Sequence, residues 1–166
     1  MTEASLRAIV QGLNDAGVRY LIVGGLAVNT HGYQRYTGDL DLLIHLDRDN
    51  LLAGLKTLAA LGYTPTVPIV LEEFADENKR RDWIENKHMK VLGLRSDRHR
   101  ETSVDVFVND PLGFEEAYKR VHYARFPDGL SLPFCAYQDL VTLKTIAGRP
   151  QDLADLHELR IARGEA

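Results

Sequence analysis

The sequence contains a single cysteine, Cys135, among its 166 residues. One cysteine excludes an internal disulfide and a zinc site built from several cysteines. Long apolar runs are missing too, and none approaches the roughly 20 residues that a membrane-spanning helix needs. The first residues carry an early acidic side chain and lack the basic-then-apolar pattern of a signal peptide. We therefore expect a cytoplasmic protein with no membrane partner.

The chain also lacks an excess of positive charge. Its net charge of -4 gives no general argument for nucleic-acid binding. The charge is unevenly distributed, however, since residues 79–100 (the basic segment) hold eight Lys and Arg against three Asp and Glu. Two interpretations stay open: the basic segment steers a polyanion, or it is a solvated strand-and-turn surface whose cationic side chains point outward.

What is present is the composition of a globular protein, 45% hydrophobic and 27% charged. We expect one domain over residues 1–166, with a core at about 18–110 and C-terminal helices at about 136–164. Apolar spacing predicts helices at 3–17, 47–62, 113–121, 136–148 and 149–164, and strands at 18–24, 39–46, 88–95 and 102–108. This order predicts an α/β (α+β) fold, a mixed β-sheet flanked by helices with a C-terminal helical hairpin.

Several boundaries of these elements have local signals. Asp47 or Asp49 is expected to cap the helix at 47–62, and Gly62 to end it. Gly148 and Pro150 separate the last two helices, because glycine ends a helix readily and proline fits a first turn. Residues 122–134 are expected to be extended, with a hairpin around the Asp-Gly pair at 128–129.

Two aspartates interrupt the aliphatic strand predicted at residues 39–46. Side chains two residues apart on a strand point to the same face, so Asp39 and Asp41 share one face while Leu40 and Leu42 share the other. The two aspartate Cα atoms are then about 6.6 Å apart. Carboxylates this close repel each other unless a cation lies between them, and a hard divalent ion such as Mg²⁺ is the expected partner.

A third aspartate, Asp105, lies in the β-branched strand predicted at residues 102–108. An acid in mid-strand is costly if it is buried without a partner. If the two strands are neighbours, Asp39, Asp41 and Asp105 converge on a site that can hold two metal ions about 3.5–4 Å apart for phosphoryl or nucleotidyl transfer. The alternative is structural: Asp39 is a turn residue, and Asp41 and Asp105 face solvent on edge strands.

Gly24 and Gly25 end the strand predicted at 18–24 and lead into a short helix-compatible segment. Such a turn can expose backbone N–H groups to an anion, and glycine lets phosphate oxygens approach the backbone. The spacing matches neither a phosphate-binding P-loop nor a dinucleotide-binding fingerprint. A tight strand-to-helix turn explains the glycine pair equally well.

Taken together, residues 24–44 (GGLAVNTHGYQRYTGDLDLLI) and 103–108 (SVDVFV) resemble the nucleotidyltransferase (polymerase-β-like) superfamily. The pattern of that superfamily is a hydrophobic residue, then Gly–Gly or Gly–Ser, then Asp–hydrophobic–Asp, and later a third acid in a hydrophobic strand. Here thirteen residues separate Gly25 from Asp39, and the resemblance covers about Val18 to Val108. The short chain and the Gly–Gly are most like the bacterial stand-alone branch, which includes the AbiEii-type toxins of type IV toxin–antitoxin systems.

The resemblance implies a nucleotidyltransferase-like fold and an enzyme that binds an NTP with Mg²⁺, as two ions, Mn²⁺ being an alternative metal. It implies that Asp39, Asp41 and Asp105 are catalytic and bind the metal, Asp105 also acting as or orienting the general base. It implies that Gly24 and Gly25 hold the triphosphate.

In the AbiEii-like branch a C-terminal helix adds a Lys, followed by an Arg and an Asp. Residues 140–159 of this chain supply Lys144, Arg149, Asp152 and Asp155 in a similar order. Lys144 is either a point charge that neutralises a phosphate or a solvated helical lysine paired with one of the two aspartates. The nucleotide-binding residues implied, besides the glycines, are Arg35, Thr37, Lys144 and Asp152.

Three functions stay open. In the first, NMP moves from an NTP to an acceptor hydroxyl on tRNA or other RNA, on a protein, or on a small molecule such as an aminoglycoside. One form of it is a toxin with a cognate antitoxin partner, and the basic segment mildly favours RNA. The second is an inactive member that binds a nucleotide or a partner, against which the three acids argue. The third is a metal-dependent phosphohydrolase, disfavoured because no two histidines have metal-ligand helical spacing.

Overall fold

The computed structural model describes residues 1–165. Within them the chain forms seven α-helices and seven β-strands, together with a 3₁₀ turn at Leu71–Ala75. The helices are α1 (Glu3–Asp15), α2 (Gly24–Thr30), α3 (Arg48–Ala60), α4 (Glu77–Lys87), α5 (Phe114–Tyr118), α6 (Tyr137–Ala147) and α7 (Pro150–Ala162). The strands are β1 (Tyr20–Val23), β2 (Asp39–Ile44), β3 (Tyr63–Pro65), β4 (Val91–Ser96), β5 (Ser103–Phe107), β6 (His122–Arg125) and β7 (Ser131–Phe134).

All seven strands join one mixed sheet in the order β3-β4-β5-β2-β1-β7-β6. The β2–β5 and β1–β7 pairs are parallel and the other four pairs are antiparallel. The predicted α/β fold with a mixed sheet and a C-terminal helical hairpin is therefore confirmed. The sheet order makes β2 and β5 interior strands, so the structural alternative, in which Asp41 and Asp105 lie on edge strands, is wrong.

The predicted helix boundaries agree with the observed caps. The Asp47 side chain accepts hydrogen bonds from the backbone N–H groups of Asp49 and Asn50, so Asp47 caps α3. Gly148 ends α6 in the left-handed conformation, and Pro150 is the first residue of α7. The predicted hairpin forms between β6 and β7, with the Asp-Gly pair at 128–129 in its connection.

Two elements were not predicted. Helix α4 occupies the first part of the basic segment, so the strand-and-turn interpretation is wrong for residues 79–87. Its sequence ENKRRDWIENK buries only Arg80 and Trp83, too little to show an apolar stripe. Strand β3 is only three residues long, too short for a period-2 pattern, and it pairs with β4.

The alternation of β2 separates core from cleft. Leu40 and Leu42 are fully buried on one face, and Asp39 and Asp41 lie on the other. Among the helices, α1 packs against α3, α2 contacts α6, and α6 pairs with α7. Among the helices of residues 1–165, none is long and apolar enough to cross a membrane.

Candidate active site

All nine predicted site residues line one cleft of about 210 Å³. The sheet, the glycine turn between β1 and α2, and the C-terminal hairpin each contribute to its walls. The cleft is lined by Gly24, Gly25, Arg35, Thr37, Asp39, Asp41, Asp105, Phe107, Leu140, Leu143, Lys144, Ala147, Arg149 and Asp152.

Asp41 and Asp105 are direct neighbours across the parallel pair of β2 and β5. The same register places Asp39 opposite Ser103, whose hydroxyl donates a hydrogen bond to the Asp39 carboxylate. Cross-strand partners point to the same face of a sheet. The convergence of the three predicted acids therefore follows from strand pairing, with no contribution from a loop.

Gly24 makes room for the Asp41 carboxylate. Its φ of +66° is left-handed, and a Cβ built on it would lie 1.8 Å from Asp41 Oδ2. Gly25 similarly faces Thr37, whose Oγ1 would lie 2.6 Å from a Cβ there. The glycine pair is thus required by two side chains of the cleft, whether or not a phosphate also approaches it.

The carboxylates have perturbed acidities. Burial raises the pKa of Asp41 to about 6, and repulsion from Asp105 and Asp39 adds to the rise, while the Gly25 N–H and Lys144 oppose it. Burial, followed by repulsion from Asp39, also raises the pKa of Asp105, and Arg95 opposes that rise. Carboxylates that resist ionisation in a cleft are suited to accept a proton or to bind a cation.

The donor set fits a hard divalent ion. Within residues 1–165, no three His, Cys, Asp or Glu side chains stand close enough together to enclose a metal by themselves. Mg²⁺ usually takes only one or two carboxylates and completes its shell with water and substrate phosphate oxygens. Asp39, Asp41 and Asp105 supply such oxygens, and a cation would relieve the repulsion that raises the pKa of Asp41.

Lys144 lies between two buried carboxylates. Its Nζ is 2.8 Å from Asp152 Oδ1 and 2.7 Å from Asp155 Oδ2, and all three side chains are at most 6% exposed. The interpretation of Lys144 as a solvated lysine is therefore wrong, although both expected partners were named. Burial alone would raise the pKa of Asp152, but hydrogen bonds from Arg149 and Lys144 lower it to about 2.

Two arginines extend this ion-pair network to the surface of the cleft. Arg35 binds Asp155 through both Nε, at 2.7 Å, and a terminal nitrogen, at 2.9 Å. Arg149 Nε binds Asp152 at 2.7 Å. The buried aspartates therefore hold three cations along one side of the cleft, with Thr37 nearby on the segment that joins α2 to β2.

Some lining residues were not predicted. Phe107 lies two residues beyond Asp105 on the same strand face, a spacing that could have identified it. Leu140, Leu143 and Ala147 repeat at helical spacing on α6, which is indistinguishable in sequence from ordinary core packing. Asp155 lies behind the cleft and acts through Lys144 and Arg35.

The basic segment contributes little to this cleft. Arg80 is buried and donates to the Phe74 carbonyl oxygen at 2.7 Å, so its side chain does not point outward. Arg95, Arg98 and Arg100 line a different recess of about 450 Å³ at the end of β4. That the basic segment faces a polyanion stays a prediction.

The fold is similar to that of a known enzyme. A crystal structure of the lincosamide antibiotic adenylyltransferase LnuA, with lincomycin bound, aligns over 96% of this chain and 97% of that chain, with a TM-score of 0.61 and 18% sequence identity. No family model and no curated protein matches the sequence. At this identity the likeness shows the fold alone, and the chain has the nucleotidyltransferase-like fold.

Proposed function

We propose that this protein is a nucleotidyltransferase that moves NMP from an NTP to a hydroxyl group of a small molecule. The observation that carries the proposal is the in-register pair Asp41 and Asp105 on two interior parallel strands. The pair opens onto a cleft with a row of cations on its other side. This combination suits a transfer in which charge develops around a phosphorus atom.

The reaction forms one bond and breaks another. The acceptor hydroxyl oxygen forms a bond to the α-phosphorus, and the bond from that phosphorus to the oxygen bridging to the β-phosphate breaks. Pyrophosphate leaves with the electron pair of the broken bond, and Asp105 takes the hydroxyl proton. Asp105 lies directly across the strand pair from Asp41, so its carboxylate faces the same side of the sheet as the proposed metal site.

A divalent cation is part of the proposal. Bound by one or two of the carboxylates of Asp39, Asp41 and Asp105, Mg²⁺ or Mn²⁺ would neutralise phosphate charge and lower the pKa of the attacking hydroxyl. Without it, the cleft is lined by four carboxylates against three cationic side chains, which is unfavourable for a polyanionic triphosphate. We therefore expect NTP binding to require the metal.

The cations are proposed to orient the triphosphate. Lys144 and Arg149 are held by Asp152, and Arg35 is held by Asp155, so their positions are fixed before the nucleotide arrives. Groups fixed in advance lose little freedom on binding. In this proposal Asp152 acts by positioning Lys144 and Arg149, and Gly24 and Gly25 leave space beside the phosphates.

The nature of the acceptor is proposed from the structural similarity. LnuA is an adenylyltransferase bound to a small antibiotic, and the two chains cover each other almost entirely. That correspondence supports a small-molecule acceptor. The AbiEii-type branch, an RNA acceptor and a cognate antitoxin stay predictions that this similarity does not support.

The test is transfer of labelled NMP. The protein is incubated with each α-labelled NTP, Mg²⁺ and a set of hydroxylated small molecules, with tRNA in a parallel reaction. We expect label on a small molecule, none after EDTA, and none with Asp41→Asn. The matched control is Asp82→Asn, since Asp82 is an exposed acid on α4, away from the cleft.

Calorimetry separates the proposal from the alternative of an inactive binding protein. NTP binding that needs no Mg²⁺, together with no transfer to any acceptor, would establish the inactive member. Label on tRNA alone would replace the small-molecule acceptor with RNA. Release of inorganic phosphate in place of pyrophosphate would indicate a phosphohydrolase.

A further inference from the structure

A second cavity of about 440 Å³ opens beside the catalytic cleft. Its lining includes Asp41 and Asp105 at one end, so the two cavities meet at the proposed reacting atoms. The remaining lining residues come from the start of β4 and the residue before it, from the end of β5 and the loop after it, and from α6 and its link to α7. An acceptor bound in this cavity would have its hydroxyl beside Asp105.

The walls of this cavity are mainly apolar, and Asn109 adds a neutral polar group to the lining. Val91 and Phe107, which are register partners in β4 and β5, form the sheet wall with Pro111 beyond them. Leu143, Ile146 and Ala147 form the helix wall, because their i, i+3, i+4 spacing places them on one face of α6. Ile146 is 64% exposed, a high value for an isoleucine that no other element covers.

The cavity is lined by two acidic and two cationic side chains. Its acidic lining residues are Asp41 and Asp105, both assigned to metal and proton transfer under the proposed function. Of the two cationic lining residues, Arg149 is paired with Asp152 and assigned to the triphosphate, so Lys90 is the positive charge that faces the body of an acceptor. The body of an acceptor therefore meets hydrocarbon walls and positive charge, which repels a polycation and tolerates a neutral or anionic molecule.

We propose that this cavity is the acceptor site, and that it selects a hydroxylated molecule with an apolar body and no net positive charge. The inference rests on the proposed function for the identity of the reaction, but the binding preference follows from the cavity itself. It disfavours the polycationic aminoglycosides as acceptors. Phe107 and Ile146 contact the body of the acceptor, and Lys90 lies where a cationic substituent would enter.

The binding test uses anilinonaphthalene sulfonate, an apolar anionic dye that fluoresces when it leaves water. We expect the dye to bind, neutral amphipathic alcohols to displace it, and kanamycin, a polycation, to leave it bound. Ile146→Asp is expected to weaken dye binding about tenfold or more, since it places a charge against an apolar ligand. The matched control is Leu153→Asp on α7, where Leu153 is 57% exposed and lies outside the cavity.

Charge is tested separately with Lys90→Glu. This variant should weaken dye binding and admit kanamycin, while Lys87→Glu, a few residues away at the end of α4, should change neither. Equal effects of Ile146→Asp and Leu153→Asp, or displacement of the dye by kanamycin in the wild type, would overturn the inference.

Turnover distinguishes failure of the acceptor site from failure of the proposed function. If NMP transfer occurs, Ile146→Asp should raise the KM for the acceptor and leave the KM for the NTP unchanged. Transfer to kanamycin as efficient as transfer to neutral alcohols would overturn the site while supporting the reaction. If no transfer occurs with any acceptor, the proposed function fails and the dye measurements alone decide whether the cavity has this preference.

Discussion

Lys144 and Asp155 form a buried ion pair, with 2.7 Å between Nζ and Oδ2 and side chains that are 6% and 0% exposed. Each has a further partner, Asp152 for Lys144 and Arg35 for Asp155. Helices α6 and α7 are thereby joined by charge as well as by packing. Lys144 lines the cleft and Asp155 lies behind it, so the stability of the hairpin and the placement of the cations that line the cleft depend on the same contacts.

Asp155→Asn should therefore destabilise the protein strongly. The substitution keeps the size of the side chain but removes the carboxylate partner of Arg35 and one of the two partners of Lys144, and breaking a buried pair costs about 3–5 kcal/mol. Urea denaturation should show a lower midpoint with an unchanged slope.

The control for this substitution is Glu116→Gln. Glu116 pairs with Lys119 on the surface, where both side chains are more than two-thirds exposed, and such pairs contribute little. If both variants unfold at the midpoint of the wild type, the buried pair does not stabilise the hairpin.

The sequence predicted the face on which each acid lies but not the neighbour of each strand. Alternation in β2 placed Asp39 and Asp41 opposite the leucines, and burial agrees. That β5 pairs with β2, and that Asp105 lies opposite Asp41, depends on long-range strand order. A local pattern contains no information on that order, so the convergence could only be inferred from the resemblance to a family.

Burial of charge was the least predictable property. Lys144 has the spacing of an exposed helical lysine, and its burial arises only because α7 returns with Asp152 and Asp155. Arg80 was counted as part of a cationic surface, yet it packs inward and bonds a backbone carbonyl. Both cases depend on partners distant in space or on the backbone, which residue type alone does not reveal.

The raised pKa of Asp41 predicts a pH dependence of stability in metal-free protein. The native state holds this proton up to a pKa of about 6, whereas the ordinary value is 3.8. Stabilisation from this group is therefore present below pH 4 and lost as the pH rises through 6. Asp41→Asn should escape that loss and exceed the wild type by about 2–3 kcal/mol above pH 7.

Denaturation in EDTA from pH 4 to 8 measures this difference directly. The control is Glu101→Gln, which neutralises an exposed acid and should follow the wild-type profile. Parallel profiles for the wild type and Asp41→Asn would contradict a raised pKa. Addition of Mg²⁺ with NTP should reduce the advantage of the variant, because binding stabilises only the protein that retains the carboxylate.

Cys135 should be unreactive in the native protein. The side chain is buried, and burial, together with Asp139, raises the pKa of the thiol to about 12, so the reactive thiolate is scarce. Modification by an aromatic disulfide reagent should appear only on unfolding in urea. An exposed thiol introduced by Thr145→Cys on α6 should react immediately, and an equally fast reaction of native wild-type protein would show that Cys135 is accessible.

Gly24→Ala tests whether the glycine pair serves the carboxylates. A Cβ at this position would lie 1.8 Å from Asp41 Oδ2, so the Asp41 carboxylate must move from its position beside Asp105. We expect loss of NMP transfer and of metal-dependent NTP binding, measured by label incorporation and calorimetry.

The cost of a left-handed backbone at Gly24 can be measured apart from the clash with Asp41, because a second glycine has nearly the same φ. Gly17 has a φ of +65°, against +66° for Gly24, but nothing lies within 4 Å of its Cβ position. Gly17→Ala should therefore incur only the left-handed penalty, roughly 1–2 kcal/mol, and retain transfer. Gly24→Ala should lose more stability than Gly17→Ala, since it carries the same penalty plus displacement of Asp41. Equal losses of stability in the two variants, with transfer intact in both, would show that Asp41 does not need the space above Gly24.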